Sequence, residues 1–311
     1  MTPATRLGQN QYGKAETRLV RVTRDGTTHH VRDLNVSVAL SGDMEAVHRS
    51  GDNAAVLTTD TTKNTVFALA REHGIASPED FGLLLARHFV AGQPTIHRAR
   101  IRIEEYAWER IPTPGETAHS FVRAGGGTRT AQIAFDGRRA EILSGLTGVT
   151  VLNTTDSEFH GYLKDRYTTL PETTDRVLAT DVTAVWRHAH DGTGAAGVAP
   201  DWDATHAAAR AHLLDAFATT YSYSLQQTLF AMGSRVIEEL PGVDEIRLSL
   251  PNKHHFLVDL EPFGLTNEGP DGAVYFAADR PYGLIEATVL RDGAEQRIPA
   301  DLTAPWPGGP A

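Results

Sequence analysis

The sequence predicts an α+β protein of two similar modules, each an antiparallel sheet with helices on one face. Segments in which apolar and polar residues alternate, as they do in strands, lie before and after two segments of helical periodicity. The same order of elements occurs in both halves of the chain. At 311 residues the chain is also long for one compact domain. We therefore expect one module in residues 1–145 and a second in residues 146–311.

The first two strands are predicted to form a hairpin. One alternating run is centred on Arg21, and a longer run extends from Leu34 to Leu40. The dipeptide Asp25-Gly26 lies between the two runs, and this dipeptide is typical of a tight hairpin turn.

Two helices are predicted after the hairpin. The first covers about residues 61–72, with Thr59 or Asp60 as its N-cap. The second begins after Ser77, which suits the N-cap, with Pro78 in the first helical position. One face of this second helix is predicted to pack on the sheet, and it carries Phe81, Leu84, Leu85, His88 and Phe89.

Further strands complete the first module, and the pattern then begins again. The strands are expected near residues 99–103, 131–135 and 140–143. The second half offers strands near 149–153 and 182–188, helices at about 204–219 and from 225, and strands at 246–250, 254–260, 274–277 and 284–290.

Composition argues against several classes of function. The net charge of −10 opposes binding to nucleic-acid phosphates and to membrane surfaces. The absence of cysteine excludes disulfides, zinc–thiolate sites, iron–sulfur clusters and thiol nucleophiles. Neither a signal peptide nor an apolar stretch of membrane-spanning length is apparent, and the C-terminal GGPA is not a peroxisomal signal. We therefore expect a soluble, cytoplasmic protein.

Motifs for nucleotide cofactors, serine hydrolases and metals are weak or missing. The sequence contains no Walker A or G-x-S-x-G motif, and its one G-x-G-x-x-G match, residues 192–197, lies in a Gly- and Ala-rich stretch that is typical of a surface loop. His188 and His190 would share a strand face just before Asp191, which could begin a metal site. No later residue plainly supplies a further ligand, and Asp191-Gly192 is typical of a turn. The sequence therefore favours a protein without a metal.

Five short polar stretches are candidates for a functional site, although each has a simple structural interpretation. They are Tyr12-Gly13-Lys14, Thr58-Thr59-Asp60, Phe159 with Arg176, Leu225-Gln226, and residues 250–255. In the last stretch Pro251 predicts an interruption of the strand. If the strand continues, Asn252 and His254 face the side occupied by the core, where polar groups need partners.

Taken together, these stretches resemble the urate oxidase (uricase) family over about residues 8–291. The resemblance rests on the segments NQYGKAETRLV, TTDTTKNTVFA, VLNTTDSEFHGYLKDRYTTLPETTDRVLATDV, LQQT and SLPNKHHFLVDL. It implies tandem tunnelling-fold (T-fold) modules that assemble into a tunnel-forming barrel. It also implies a homotetramer whose active sites lie at subunit interfaces.

The resemblance implies roles for nine residues. Lys14, Thr59 and His254 match a proton relay. Phe159 matches an aromatic residue that stacks on the substrate, and Arg176 matches an arginine that binds it.

The remaining four residues match contacts around the same ring. Gln226 matches a glutamine at another edge of the substrate, and the backbone of Leu225 contacts the ring. Asn252 matches an asparagine that holds dioxygen or water above the ring. Asp60 is assigned to substrate binding together with Thr59.

The implied reaction converts urate, dioxygen and water into 5-hydroxyisourate and hydrogen peroxide. This is the first step of urate degradation in purine catabolism, and the resemblance implies that neither metal nor flavin takes part. The planar urate anion suits an arginine fork, a glutamine amide and an aromatic face.

Three other readings stay open on the sequence alone. A related tunnelling-fold enzyme could act on a pterin or another purine, in some cases with zinc. A catalytically silent protein could bind purines without using oxygen. A metal oxidase would contain stoichiometric metal.

Overall fold

A computed structural model of the chain describes residues 5–112, 118–267 and 272–300. The chain divides into two compact units. Unit 1 consists of Met1–Gly145, Trp186–His206 and Pro299–Ala311, and unit 2 consists of Leu146–Val185 and Ala207–Ile298. The assignment of the two modules to residues 1–145 and 146–311 stays a prediction.

The elements follow the α+β order that the sequence predicts. The first part of the chain contains β1 (Tyr12–Asp25), β2 (Thr28–Gly42), α1 (Glu45–Ser50), α2 (Thr59–Glu72), α3 (Pro78–Gly92), β3 (Ile96–Glu105), β4 (Trp108–Arg110), β5 (Phe121–Arg123) and β6 (Thr128–Phe135). The second part contains β7 (Ala140–Asn153), β8 (Leu178–His188), α4 (Trp202–Thr219), α5 (Leu225–Glu239), β9 (Val243–Leu257) and β10 (Tyr275–Leu290).

The duplication is visible in the topology. With α1 and the small β4–β5 hairpin set aside, each half runs strand, strand, helix, helix, strand, strand. Eight strands follow the sheet order β1-β2-β3-β6-β7-β8-β9-β10, so each half contributes its four strands in the same sequence. The pairs β1/β2, β2/β3, β3/β6 and β9/β10 are antiparallel. The predicted tandem arrangement is therefore confirmed.

In unit 1 the core lies between α3 and the sheet. Alternate residues of β2 are buried, as the sequence pattern predicts, and they are Leu34, Val36, Val38 and Leu40. Phe81, Leu85 and Phe89 of α3 are buried against this sheet, as predicted. The prediction is wrong for His88, which is exposed. Ser77 caps α3 by accepting the Asp80 N–H at 3.0 Å.

Helix α2 begins one or two residues earlier than predicted. Thr58 is the N-cap, and its Oγ1 accepts the N–H of Thr61 at 3.1 Å. Thr59 and Asp60 are therefore the first two residues of the helix and not its cap. The physical reason is the register of the buried face, which places Thr62 and Val66 inward.

In unit 2 helix α5 packs on β9 and β10. Leu229, Met232 and Val236 of the helix are buried, as are Ile246, Leu248 and Leu250 of β9. Gly233 allows the helix to approach the sheet closely. A Cβ atom at this position would lie 2.6 Å from Cγ2 of Val289 on β10.

The predicted interruption at Pro251 is wrong, because β9 runs through it as one strand that includes both expected segments up to Leu257. Pro251 pairs with Leu284 of β10, and the irregularity lies in β10. Ala278 pairs with His254, whereas Gly283 pairs with Asn252. Pro251, which has no N–H to donate to the neighbouring strand, thus lies beside a distorted segment of β10.

Across the described residues, no helix is both long and apolar enough to cross a membrane.

Candidate functional site

The nine residues singled out from the sequence form two groups, one in each unit. Unit 1 contains Lys14, Thr59 and Asp60. Unit 2 contains Phe159, Arg176, Leu225, Gln226, Asn252 and His254.

In unit 2 the structure brings a cation, an aromatic ring and a histidine together. Cζ of Arg176 lies 5.3 Å from the centroid of the Phe159 ring. Partial burial lowers the pKa of His254, and the charges of Arg176 and His255 lower it further. Arg176 therefore acts electrostatically on His254 while it contacts Phe159.

Phe159 is held by backbone hydrogen bonds to a neighbouring segment. Its N–H donates to the Thr173 carbonyl at 2.8 Å, and the Thr173 N–H donates back at 3.1 Å. The Phe159 ring stacks on Tyr162, with centroids 4.9 Å apart and planes at 16°. Tyr162 was not singled out from the sequence, since its only signal is an aromatic residue three positions after Phe159.

Arg176 is a half-buried cation. Its Nε donates to Oγ of Ser157 at 3.2 Å. Burial lowers the pKa of the guanidinium, because water no longer solvates its charge fully. Among the described residues, no carboxylate lies within ion-pair distance of it. A partly desolvated cation of this kind is suited to binding an anion.

His254 and Asn252 lie on β9 just beyond the core. They lie on the same face of the strand as Ile246, Leu248 and Leu250, which are fully buried. Asn252 and His254 themselves are half-buried. The lowered pKa means that His254 is neutral at pH 7 and can accept a proton. The polar pair thus lies where the apolar face of the strand opens towards solvent.

Leu225 and Gln226 are the first two residues of α5. Ser224 caps this helix by accepting the Gln227 N–H at 3.2 Å. The Leu225 side chain is buried and the Gln226 side chain is exposed. Leu225 is therefore anchored in the core, and Gln226 is free to contact a ligand.

In unit 1 Lys14 lies just before an irregularity in β1. Lys14 pairs with Val38, and the register shifts between Lys14 and Thr17. Within this bulge Glu16 has a φ of 56°, and its N–H donates to Oγ of Ser37 at 2.9 Å. A bulge with a left-handed residue redirects the neighbouring side chains, and Lys14 is half-buried there.

Thr59 and Asp60 are exposed at the start of α2. The Asp60 carboxylate accepts from Nζ of Lys63 at 2.6 Å and from Nδ2 of Asn64 at 3.0 Å. Lys63 is the largest cause that lowers the Asp60 pKa, and the charge of Lys14 also lowers it. Lys14 is therefore close enough to the helix start for its charge to be felt there.

The histidines considered as a metal site have other roles. Nε2 of His188 lies 2.9 Å from Oγ of Ser144, whose hydroxyl donates to the buried Glu79 at 2.5 Å. Burial lowers the pKa of His188 to about 3. Nδ1 of His190 accepts the Gly192 N–H at 3.0 Å. Within the described parts of the chain, no three His, Asp or Glu residues are grouped so that they could hold a metal ion.

Comparison with known proteins gives a consistent picture along the chain. The Uricase family model matches residues 10–134 and 142–286. The uricase of Arthrobacter globiformis is 51% identical over 293 residues, which cover 94% of this chain and 92% of that protein. The uricase of Aspergillus flavus is 36% identical over 296 residues, which cover 93% and 98%.

Solved structures show the same likeness. The crystal structure of the Arthrobacter globiformis uricase matches with a TM-score of 0.87 at 51% identity, over 94% of this chain and 98% of that one. A uricase from Bacillus fastidious matches with a TM-score of 0.75 at 22% identity, over 92% and 95% of the two chains.

Proposed function

Since the chain belongs to the uricase family, we propose that Lys14, Thr59 and His254 move the protons of its reaction. The protein is a urate oxidase, an oxidoreductase that converts urate, dioxygen and water into 5-hydroxyisourate and hydrogen peroxide. The observation that best supports a site for this chemistry is the half-buried Arg176, whose Cζ lies 5.3 Å from the centroid of the Phe159 ring and whose charge lowers the pKa of His254.

Arg176 and Phe159 bind the substrate. Urate is a flat anion, so a guanidinium can donate two parallel hydrogen bonds to its edge while an aromatic ring covers its face. A hydrogen bond to a charged group contributes about 1.5–3 kcal/mol. Partial burial strengthens the attraction, because water screens the guanidinium less than it screens a surface charge.

Two helix starts supply further contacts. Thr59 and Asp60 begin α2, and Leu225 and Gln226 begin α5. The first N–H groups of a helix have no acceptor within the helix, and they lie at the positive end of its dipole. Both pairs are therefore suited to the amide-like edges of an anion. The exposed Gln226 side chain adds a donor and an acceptor.

The relay makes urate a better electron donor. Dioxygen is a triplet and reacts slowly with closed-shell molecules, so removal of a second proton from urate favours electron transfer. Neutral His254 can accept a proton, and Lys14 and Thr59 can pass one on. The same groups later activate the water that becomes the 5-hydroxyl, while Asn252 holds dioxygen or water above the ring. Acid–base catalysis of this kind contributes about 100- to 10,000-fold.

The assembly and setting of the enzyme are also proposals. Lys14, Thr59 and Asp60 lie in unit 1, and the other six assigned residues lie in unit 2. We propose a homotetramer in which the active sites lie at subunit interfaces. A cytoplasmic location and the absence of metal and flavin from the reaction stay predictions.

One experiment tests the cofactor-free reaction. Urate loss, oxygen consumption and peroxide formation are measured together on the purified protein, with and without a strong chelator. We expect equal amounts of all three, with no effect of the chelator. Inhibition by the chelator, reversed by added metal, would overturn the proposal in favour of a metal oxidase. Urate binding without oxygen consumption would identify a silent purine-binding protein.

A further inference from the structure

Ser157 is the direct protein partner of the Arg176 guanidinium. Its Oγ accepts from Nε of Arg176 at 3.2 Å. A guanidinium presents five N–H donors in a rigid plane, so one fixed donor determines the direction of the other four. Among the described residues this bond uses only Nε, so both terminal nitrogens of Arg176 can donate to a ligand.

The position of Ser157 is fixed by its backbone. Ser157 and Ser222 form an isolated parallel bridge, and both are fully buried. On one side of the bridge the Ser222 N–H donates to the Asp156 carbonyl at 2.9 Å. On the other side the Glu158 N–H donates to the Ser222 carbonyl at 2.8 Å.

The same segment fixes Phe159. Ser157 and Phe159 are two residues apart in extended chain, so their side chains point to one side. The backbone N–H and carbonyl of Phe159 form hydrogen bonds with the backbone of Thr173. Asp156, just before Ser157, has a φ of 58°, in the left-handed region that residues other than glycine adopt rarely. Residues 156–159 thus place the Ser157 hydroxyl against Nε of Arg176 and the Phe159 ring 5.3 Å from its Cζ.

We propose that Ser157 is a positioning residue, which orients Arg176 over Phe159 so that its terminal nitrogens meet the edge of urate. This inference rests on the proposed binding of urate by Arg176. Ser157 touches Arg176 and not the substrate, so its removal acts through the arginine.

The test compares Ser157→Ala with Ser222→Ala. Ser222 is equally buried and lies in the same bridge, but its Oγ accepts from Thr228 at 2.8 Å instead of contacting the arginine. We expect Ser157→Ala to raise the KM for urate and the Kd for the inhibitor xanthine by about tenfold, since it removes a hydrogen bond to a charged group. We expect kcat to change much less, and Ser222→Ala to leave both affinities near those of the wild type.

A double-mutant cycle with Arg176→Ala separates the two proposals. If Ser157 acts through Arg176, then adding Ser157→Ala to Arg176→Ala changes xanthine affinity by less than about twofold. If the two substitutions instead weaken xanthine binding independently, so that their effects add in the double variant, Ser157 has a merely structural role. Equal losses of xanthine affinity in Ser157→Ala and Ser222→Ala would show the same. Unchanged affinity in Arg176→Ala alone would instead overturn the assignment of Arg176. Should Ser157→Ala not fold, Ser157→Cys keeps the volume with a weak acceptor, and the same loss is expected.

Discussion

The guanidinium carbon of Arg176 lies 5.3 Å from the centroid of the Phe159 ring. Both residues belong to unit 2, whereas Lys14 and Thr59 belong to unit 1. If substrate binding depends on the first pair and proton transfer on the second, then the two functions can be impaired separately. Substitutions in these two pairs of residues should therefore change different kinetic constants.

Arg176→Ala is expected to weaken binding. We expect the KM for urate and the Kd for xanthine to rise by about 10- to 100-fold, because a charge-assisted contact is lost. Initial rates and an inhibitor titration measure the two constants. Arg235→Ala is the control, since Arg235 forms an exposed ion pair with Asp215 that contributes little. Unaltered affinity in Arg176→Ala would mean that Arg176 does not bind the substrate.

Lys14→Met and Thr59→Ala are expected to slow turnover. We expect kcat to fall by about 100-fold or more while xanthine affinity changes only a few-fold, because the relay acts after binding. Thr65→Ala, further along α2, is the matched control; its hydroxyl bonds to the Thr61 carbonyl of the same helix. A large affinity loss with unchanged kcat would remove both residues from the relay.

The pH profile should depend on His254. Its pKa lies below the usual value of about 6.5, so the neutral base persists into mildly acidic solution and activity falls only as the pH drops through that lowered pKa. His255→Asn removes a neighbour whose charge lowers this pKa further, after burial and Arg176. The acid limb of kcat/KM should then move to higher pH.

His97→Asn serves as the control for this profile. His97 is an exposed histidine in unit 1 that pairs with Asp43. Its replacement should leave the acid limb where it is. A shift to lower pH in His255→Asn, or none, would contradict the assignment of the limb to His254.

Gly233→Ala is expected to destabilise the protein. The added Cβ would lie 2.6 Å from Cγ2 of Val289, and valine cannot easily rotate away because its χ1 is restricted. We expect a loss of about 1–3 kcal/mol in the free energy of unfolding, measured by denaturant titration. Gly242→Ala, where no atom lies within 4 Å of the added Cβ, should have little effect. Equal stability of both variants would show that α5 can move away from the sheet.

Local signals made much of the fold predictable from the sequence. The cap of α3 needs only a hydroxyl at Ser77 that accepts the N–H of Asp80, three residues later. The alternation of apolar and polar residues in β2 arises because only one face of the strand is buried. At α2, Thr58, Thr59 and Asp60 can all cap a helix, so only tertiary packing decides among them. The sequence pattern around Pro251 predicted a break in the wrong strand, since the partner strand accommodates the proline.

The candidate site was predictable only through the family resemblance. No periodicity relates Arg176 to Phe159, and the Ser157–Ser222 bridge joins residues that lie 65 positions apart. Such contacts depend on how distant segments pair, and a single sequence gives no local pattern for them. The contact of Ser157 with Arg176 was missed for this reason.

The irregular pairing of β9 with β10 bears on how this enzyme could diversify. Only Lys253 separates Asn252 from His254, whereas residues 279–282 separate their partners Ala278 and Gly283. The ladders above and below this segment keep their own regular registers. A residue gained or lost within 279–282 would thus leave both ladders intact. It would change only the part of β10 that lies opposite Asn252 and His254. Length variation there offers evolution, or a protein engineer, a way to reshape the surroundings of the site without replacing any residue assigned to it.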